Sequence, residues 1–281
     1  MENSNPTKQK RLLTVQDISC VGQCSLTVAL PIISAFGIET VMLPSAVLST
    51  HTGCWKGFTF RDLTDDIPGI VSHWEQNGIN FDAMYTGYIG SARQIDMILG
   101  MRKTLLIDGA PIITDPAMAD NGVLYTGFDN EFVKAMRRLV SGSDYLLPNI
   151  TEAAMLTGME YKERYDESYA LGLCRELCAL GAKNVVLTGV CFEEGKIGVY
   201  VFDGENARYC SQERLAYNKH GTGDVYASVF SGYLVSGYDA FEAAKKAATF
   251  TKDAMMNTPP EHVYGVNFEG ILNKITNREN I

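Results

Sequence analysis

Two hydrophobic periods alternate along this chain. Leu12–Gln16 is a short, mostly apolar run that reads as a buried strand, and Ser25–Phe36 carries an apolar face at helical spacing, closed by Gly37. Glu39–Leu43 is the next strand. Pro44 to Phe60, rich in Ser, Thr, Gly and His, reads as a long loop of the kind that carries function in compact domains. A helix is predicted over Leu63–Asn77, with Pro68 marking a kink or a late start. Asp82–Thr86 is a strand, Ala92–Lys103 a helix, Pro111–Thr114 a short strand, and Asp115 to Gly127 a loop. Glu131–Val140 is helical, Tyr145–Leu147 a strand, and Glu152–Thr157 and Ser168–Leu180 are helical. Val185–Thr188 is a strand, and Gly198–Phe202 with Ala207–Cys210 forms a hairpin across Asp203-Gly204. Helices follow over 224–236, 240–256 and 268–275.

This order predicts an α/β fold: a central, mostly parallel sheet with helices on both faces and an antiparallel hairpin at one edge. No repeat or linker divides it, so one domain is expected over 11–281, behind a disordered lead-in at 1–10. Ligands of such sheets bind beyond the C-terminal ends of the strands. Polar or glycine-rich clusters stand at those ends: Gln16-Asp17-Ile18-Ser19, Gly87-Tyr88, Asp115-Pro116, Pro148-Asn149 and Thr188-Gly189.

Composition narrows the partners. The 281 residues are 46% hydrophobic, enough for a large core, and the net charge of −9 argues against a nucleic-acid backbone as partner. No apolar run reaches the roughly 18 residues of a membrane span. Seven cysteines, an odd number with no secretory signal ahead of them, point to reduced thiols and a cytoplasmic setting. The pairs Cys20/Cys24 and Cys174/Cys178 lack nearby histidines and read as small buried residues rather than zinc ligands.

The chemistry concentrates at His220-Gly221-Thr222-Gly223-Asp224-Val225-Tyr226. Two glycines flank a threonine, and a carboxylate stands in the first turn of a helix. Free N–H groups and the positive end of the helix dipole converge there, a place suited to phosphate. Asp224 would repel phosphate; a general base that takes the proton of an attacking hydroxyl accounts for it, and an ordinary helix cap is the other reading. The turn opens no βαβ unit, which argues against a dinucleotide fingerprint. No G-x-x-x-x-G-K-[ST] occurs, so the chain is not a P-loop enzyme. Asn149 and Glu152 lie three apart, either as hard oxygen ligands for Mg²⁺ through water or as a plain helix start. Asp115 and Asp120 could support metal or phosphate binding, although Asp120-Asn121-Gly122 is also good turn chemistry.

Taken in order, these clusters resemble the ribokinase-like family of ATP-dependent small-molecule kinases, most closely its vitamin B6 branch, the pyridoxal and pyridoxamine kinases. The likeness rests on Gln16 and Gly22, Ser49-Thr50-His51-Thr52-Gly53 with Trp55-Lys56-Gly57, Thr86-Gly87-Tyr88, Asp115-Pro116 with Asp120, Pro148-Asn149 with Glu152, Thr188, and Gly221–Asp224. It covers about residues 11–262 and implies transfer of the ATP γ-phosphate to the 5′-hydroxymethyl of a B6 vitamer. Asp224 would be the base, with Gly221, Thr222 and Gly223 around the transferring phosphoryl. Asp17, Ser19, His51, Thr52 and Tyr88 would face the vitamer, with His51 near the entrance. Asp115, Asn149, Glu152, Thr188, Gly189, Gly221 and Gly223 would hold the nucleotide, and Asp115, Asp120, Asn149 and Glu152 the Mg²⁺. The resemblance leaves a K⁺ requirement open and favours a homodimer.

Three positions depart from the pattern. Asp17 replaces a usual serine, and we expect it to pair with the pyridine N–H⁺ or the ammonium of the substrate, since an unpaired carboxylate in a closed pocket is costly. Leu147 and Gly189 replace usual hydroxyl residues and remove nucleotide contacts. A hydroxymethylpyrimidine kinase of thiamin synthesis is the nearest rival, against which the His-Thr-Gly and Trp-Lys-Gly loop and Gly87-Tyr88 speak. A B6-binding protein without activity would not need Asp224 together with both glycines.

Overall fold

The computed structural model describes residues 9–276. Of the predicted lead-in, residues 1–8 lie outside the described residues, while Gln9 already donates from Nε2 to the Gly37 carbonyl at 3.1 Å. The chain runs β1 Arg11–Val21, α1 Leu26–Ala35, β2 Glu39–Thr50, β3 Phe60–Asp62, α2 Ile67–Gln76, β4 Ala83–Thr86 and α3 Ala92–Thr104. It continues β5 Ile112–Thr114, β6 Ala119–Asp120, β7 Val123–Leu124, α4 Asn130–Val140, β8 Tyr145–Leu146, α5 Ile150–Thr157 and α6 Glu167–Ala179. The last part is β9 Asn184–Val190, β10 Lys196–Phe202, β11 Ala207–Glu213, α7 Thr222–Val235, α8 Ala240–Met256 and α9 Asn273–Thr276.

Nine strands form one sheet in the order β11-β10-β9-β8-β5-β4-β1-β2-β3. The six from β9 to β2 are parallel; β3 and the β10–β11 hairpin add antiparallel edges. Side chains alternate across a strand, so both faces must be covered. Leu12 and Ala83 go to a core shared with Val28, Val229 and Ala247 of α1, α7 and α8. Their neighbours Leu13 and Met84 go to the other, with Ile95, Met136, Ala153 and Leu173 of α3, α4, α5 and α6. No helix of the described residues is long and apolar enough to cross a membrane.

The sequence-based elements need three corrections. The loop expected over Pro44 to Phe60 is shorter, because β2 runs on to Thr50 and pairs with β1 as far as Val21. Pro44 fits because the ladder shifts there: Gln16 pairs with Pro44 but Ile18 with Val47, so Asp17 faces two residues of β2. The helix expected from Leu63 starts at Ile67, with Pro68 in its first turn, where a missing N–H is tolerated. The loop expected over Asp115 to Gly127 holds the small β6–β7 hairpin.

Candidate active site

The turn before α7 is shaped by a glycine. Gly221 has φ 78°, and a Cβ there would run into the Gln23 carbonyl oxygen. The Gly221 carbonyl accepts from Val225 N at 3.0 Å, so the helix has begun, yet no side chain caps it. The first N–H groups of α7 are thus left facing the rim of the sheet. Asp224 is its third residue and stays half-buried. Burial pushes its pKa up to about 7; the Ser25 backbone N–H pulls the other way, and the charge of Asp17 adds to the rise. A carboxylate poised near neutrality can accept a proton and release it again.

Asp17 is 5% exposed at the bulge in β1, where its carboxylate accepts from Ser19 Oγ at 3.2 Å. Burial raises its pKa against the hydroxyls of Ser25 and Ser19. Tyr88 stands close by: its phenol is pushed up to about 12, by burial first and then by Asp17. Its ring lies against Phe128, centroids 5.3 Å apart. The preceding Gly87 is dictated by packing, since a Cβ would collide with the amide of Gln16, whose Nε2 donates to Thr14 Oγ1 at 2.9 Å. Ser19, Tyr88 and Asp224 are therefore all neighbours of Asp17.

On the far side of β4, Asp115 ends β5 and is buried; burial raises its pKa well above the usual carboxylate range, with Glu152 and then Asp224 adding to it. Glu152 is 3% exposed and is held by backbone: Oε1 accepts from Met118 N at 3.0 Å and Oε2 from Asn149 N at 2.9 Å. Asn149 Oδ1 in turn accepts from Glu152 N at 2.9 Å, and its Nδ2 donates to the Ala119 carbonyl at 2.8 Å. The plain helix start is thus real, as a capping box at α5. Thr188 bridges to Asn149 across β9, its hydroxyl donating to the Pro148 carbonyl at 3.2 Å, and Gly189 follows it, exposed. Asp120 is exposed, its carboxylate accepting from Asn121 N at 2.9 Å and Asn121 Nδ2 at 3.0 Å, which is turn chemistry.

The donor set fits Mg²⁺ at Asp115 and Glu152. Both are buried hard-oxygen groups, and among the described residues no salt bridge neutralises either, nor Asp17 or Asp224. Asn149 has both side-chain atoms engaged, and Asp120 is committed to its turn. No three His, Cys, Asp or Glu of the described residues converge on one ion, so an ion here needs water or phosphate oxygens to complete its shell.

His51 is buried, not at an open entrance. Its Nε2 lies 3.1 Å from the Tyr264 carbonyl and its Nδ1 accepts from Gly53 N at 3.1 Å, so the ring is neutral with its proton on Nε2. Burial lowers its pKa, with His220 helping, in keeping with a ring that anchors a loop. Thr52 is exposed beside it, and Trp55 stacks on Tyr264 with centroids 5.5 Å apart. His220 lies 5.3 Å from the His51 ring, which brings loop 51–57 against the turn before α7.

Three features went unread in the sequence. Residues 262–265 pack on Gln23 and His51, with His262 Nε2 2.6 Å from Gln23 Oε1. A cavity of about 360 Å³ opens between Gly195 and Arg214–Asn218, on the segment leading into Gly221; no motif marks it. The third is Ser25, whose backbone conformation no residue pattern reveals.

Comparison with known proteins follows the same lines. A model of the phosphomethylpyrimidine kinase family matches residues 74–266. The pyridoxal kinase of Dictyostelium discoideum is 28% identical over 247 residues, 81% of this chain and 79% of its own length. A Bacteroides thetaiotaomicron protein described as a phosphomethylpyrimidine kinase, solved in a crystal form with pyridoxal, is 36% identical. It superposes with a TM-score of 0.90 over 95% of this chain and 96% of its own. The structure of Lactobacillus plantarum pyridoxal kinase is 32% identical with a TM-score of 0.87, over 95% and 96%.

Proposed function

The chain belongs to the phosphomethylpyrimidine kinase family, on its ribokinase-like B6 kinase branch, and we propose from this that it phosphorylates the 5′-hydroxymethyl group of a B6 vitamer with ATP. One observation carries the reading: an uncapped helix start and a carboxylate with a pKa of about 7 share the turn Gly221–Asp224, beside the pocket of Asp17 and Tyr88.

The vitamer hydroxyl points at Asp224, which accepts its proton as the oxygen bonds to the γ-phosphorus and the bond to ADP breaks. The N–H groups around Gly221, Thr222 and Gly223 take up the charge that develops on the phosphoryl oxygens. Asp17 pairs with the pyridine N–H⁺ or the ammonium of the vitamer. The nucleoside of ATP lies toward the 360 Å³ cavity, and its phosphates run past Thr188, Gly189 and Asn149 to the α7 turn. Asp115 and Glu152 would hold Mg²⁺ through water, and the ion would supply positive charge to offset the phosphates in a site whose own side chains are acidic. The exposed Phe60 on the outer strand β3 supports a homodimer through that edge.

A steady-state panel of pyridoxamine, pyridoxal, pyridoxine and hydroxymethylpyrimidine with MgATP, read as ADP release, tests the assignment. A B6 vitamer is expected to give the highest kcat/KM; a hydroxymethylpyrimidine preference would reject it. The family's name speaks for the pyrimidine, whereas the pyridoxal-containing relative speaks for the pyridine. In Asp17→Ser the pyridoxal-to-pyridoxamine turnover ratio is expected to change. An unchanged ratio leaves the ring nitrogen as the partner.

A further inference from the structure

Two non-glycine residues among those described have positive φ, Asn121 and Ser25. Asn121 is unremarkable, since it belongs to an Asn-Gly turn and asparagine tolerates the left-handed region. Ser25 is different. At φ 54° and ψ −129° it lies outside the left-handed helical basin, in a region that essentially only glycine occupies.

Three separate elements hold it there. Ser25 forms an isolated antiparallel bridge to Ile18, on the strand that carries Asp17. Its carbonyl accepts from Val28 N at 3.0 Å and Ala29 N at 2.9 Å, opening α1. Its own N–H points to the carboxylate of Asp224 at the start of α7. Conformations this unfavourable persist only where the surroundings over-determine them, and they collect at functional sites.

The side chain is diverted as well. Serine is among the best N-cap residues, and Ser25 occupies the N-cap position of α1, yet its hydroxyl makes no cap hydrogen bond. It is 5% exposed, and its hydroxyl lies beside Asp17 instead, where it works against the rise in that carboxyl's pKa. A glycine would adopt this backbone without strain but would leave Asp17 with the Ser19 hydroxyl as its remaining side-chain donor.

We propose that Ser25 is a positioning residue that sets substrate affinity: its strained backbone aims one N–H at Asp224 while its hydroxyl fixes the orientation of Asp17 toward the vitamer. The proposal rests on the B6 reading above and deepens it, because it assigns the aim of the substrate-binding carboxylate to a residue outside the family motifs.

Ser25→Gly and Ser25→Ala test it together. Both lose the hydroxyl, and only glycine relieves the backbone. Each is expected to raise the Kd for pyridoxamine and pyridoxal about tenfold, with kcat at saturating vitamer changed far less. The glycine variant is expected to melt roughly 2–4 °C above the alanine variant. In an Asp17→Asn background the same changes at Ser25 are expected to shift the vitamer Kd by less than about twofold. Unchanged vitamer affinity in both single variants overturns the role, as does an equal loss in the Asp17→Asn background. An alanine variant that melts at or above the glycine variant overturns the strain. A wild-type chain that binds neither vitamer overturns the B6 reading and the substrate role with it, while the order of melting still decides the backbone question separately.

Discussion

The N-termini of α5 and α7 place a carboxylate at the same third helical position and shift its pKa to the same place, about 7. They do different things. Glu152 closes a capping box and gathers the Asn149 and Met118 N–H groups. The α7 start follows an αL glycine with no side-chain cap, and Asp224 feels the charge of Asp17 nearby. A perturbed pKa therefore does not identify a base. What separates the two is whether the helix start satisfies itself or leaves its N–H groups for a ligand.

The contrast is sharpest in turnover. Asp224→Asn is expected to lower kcat by roughly 10²–10⁴, the range for a lost general base, with vitamer Kd little changed. A drop of less than about tenfold, measured at saturating MgATP and vitamer, would deny Asp224 the role of general base.

Next comes pH. Asp224 must be ionised to accept a proton, so kcat/KM is expected to fall about tenfold per unit below a limb near pH 7. Asp224→Asn should abolish that limb. Stability of the ligand-free chain moves the opposite way. The folded pKa of Asp224 is raised from the 3.8 of a free carboxyl, so the folded state binds its proton more tightly than the unfolded one. Its contribution is full below pH 3.8 and is lost as pH rises through about 7. Melting curves of Asp224→Asn across that window should be flatter than wild type.

The smallest effect belongs to the capped helix. Asn149→Ala removes one side of the box and is expected to cost about 1 kcal/mol, some 2–4 °C in Tm. A comparable loss in Asp224→Asn at neutral pH would erase the distinction between the two helices.

Much of this was legible in the residues. The alternating elements and their strand-end clusters gave the sheet and the rim because both rest on local periodicity and turn chemistry. The helix 240–256 coincides with α8, and Asp82–Thr86 misses β4 by one residue. The continuation of β2 past Pro44 was hidden, since a bulge that absorbs a proline is a property of two strands together. Asn149 and Glu152 read as a ligand pair, with a plain helix start as the other reading; the reciprocal hydrogen bonds between the two side chains and each other's backbone N–H make the cap visible. Asp120 followed its turn chemistry. The strain at Ser25 lies in a dihedral angle, which the one-letter code does not carry.

The contact between His51 and Tyr264 bears on how the protein is made. His51 and the carbonyl that holds it are 213 residues apart in sequence. On a ribosome, the early segment with Asp17, His51 and Tyr88 emerges long before Tyr264. The loop that begins at His51 therefore stays unanchored until the late segment folds back onto Gln23 and His51.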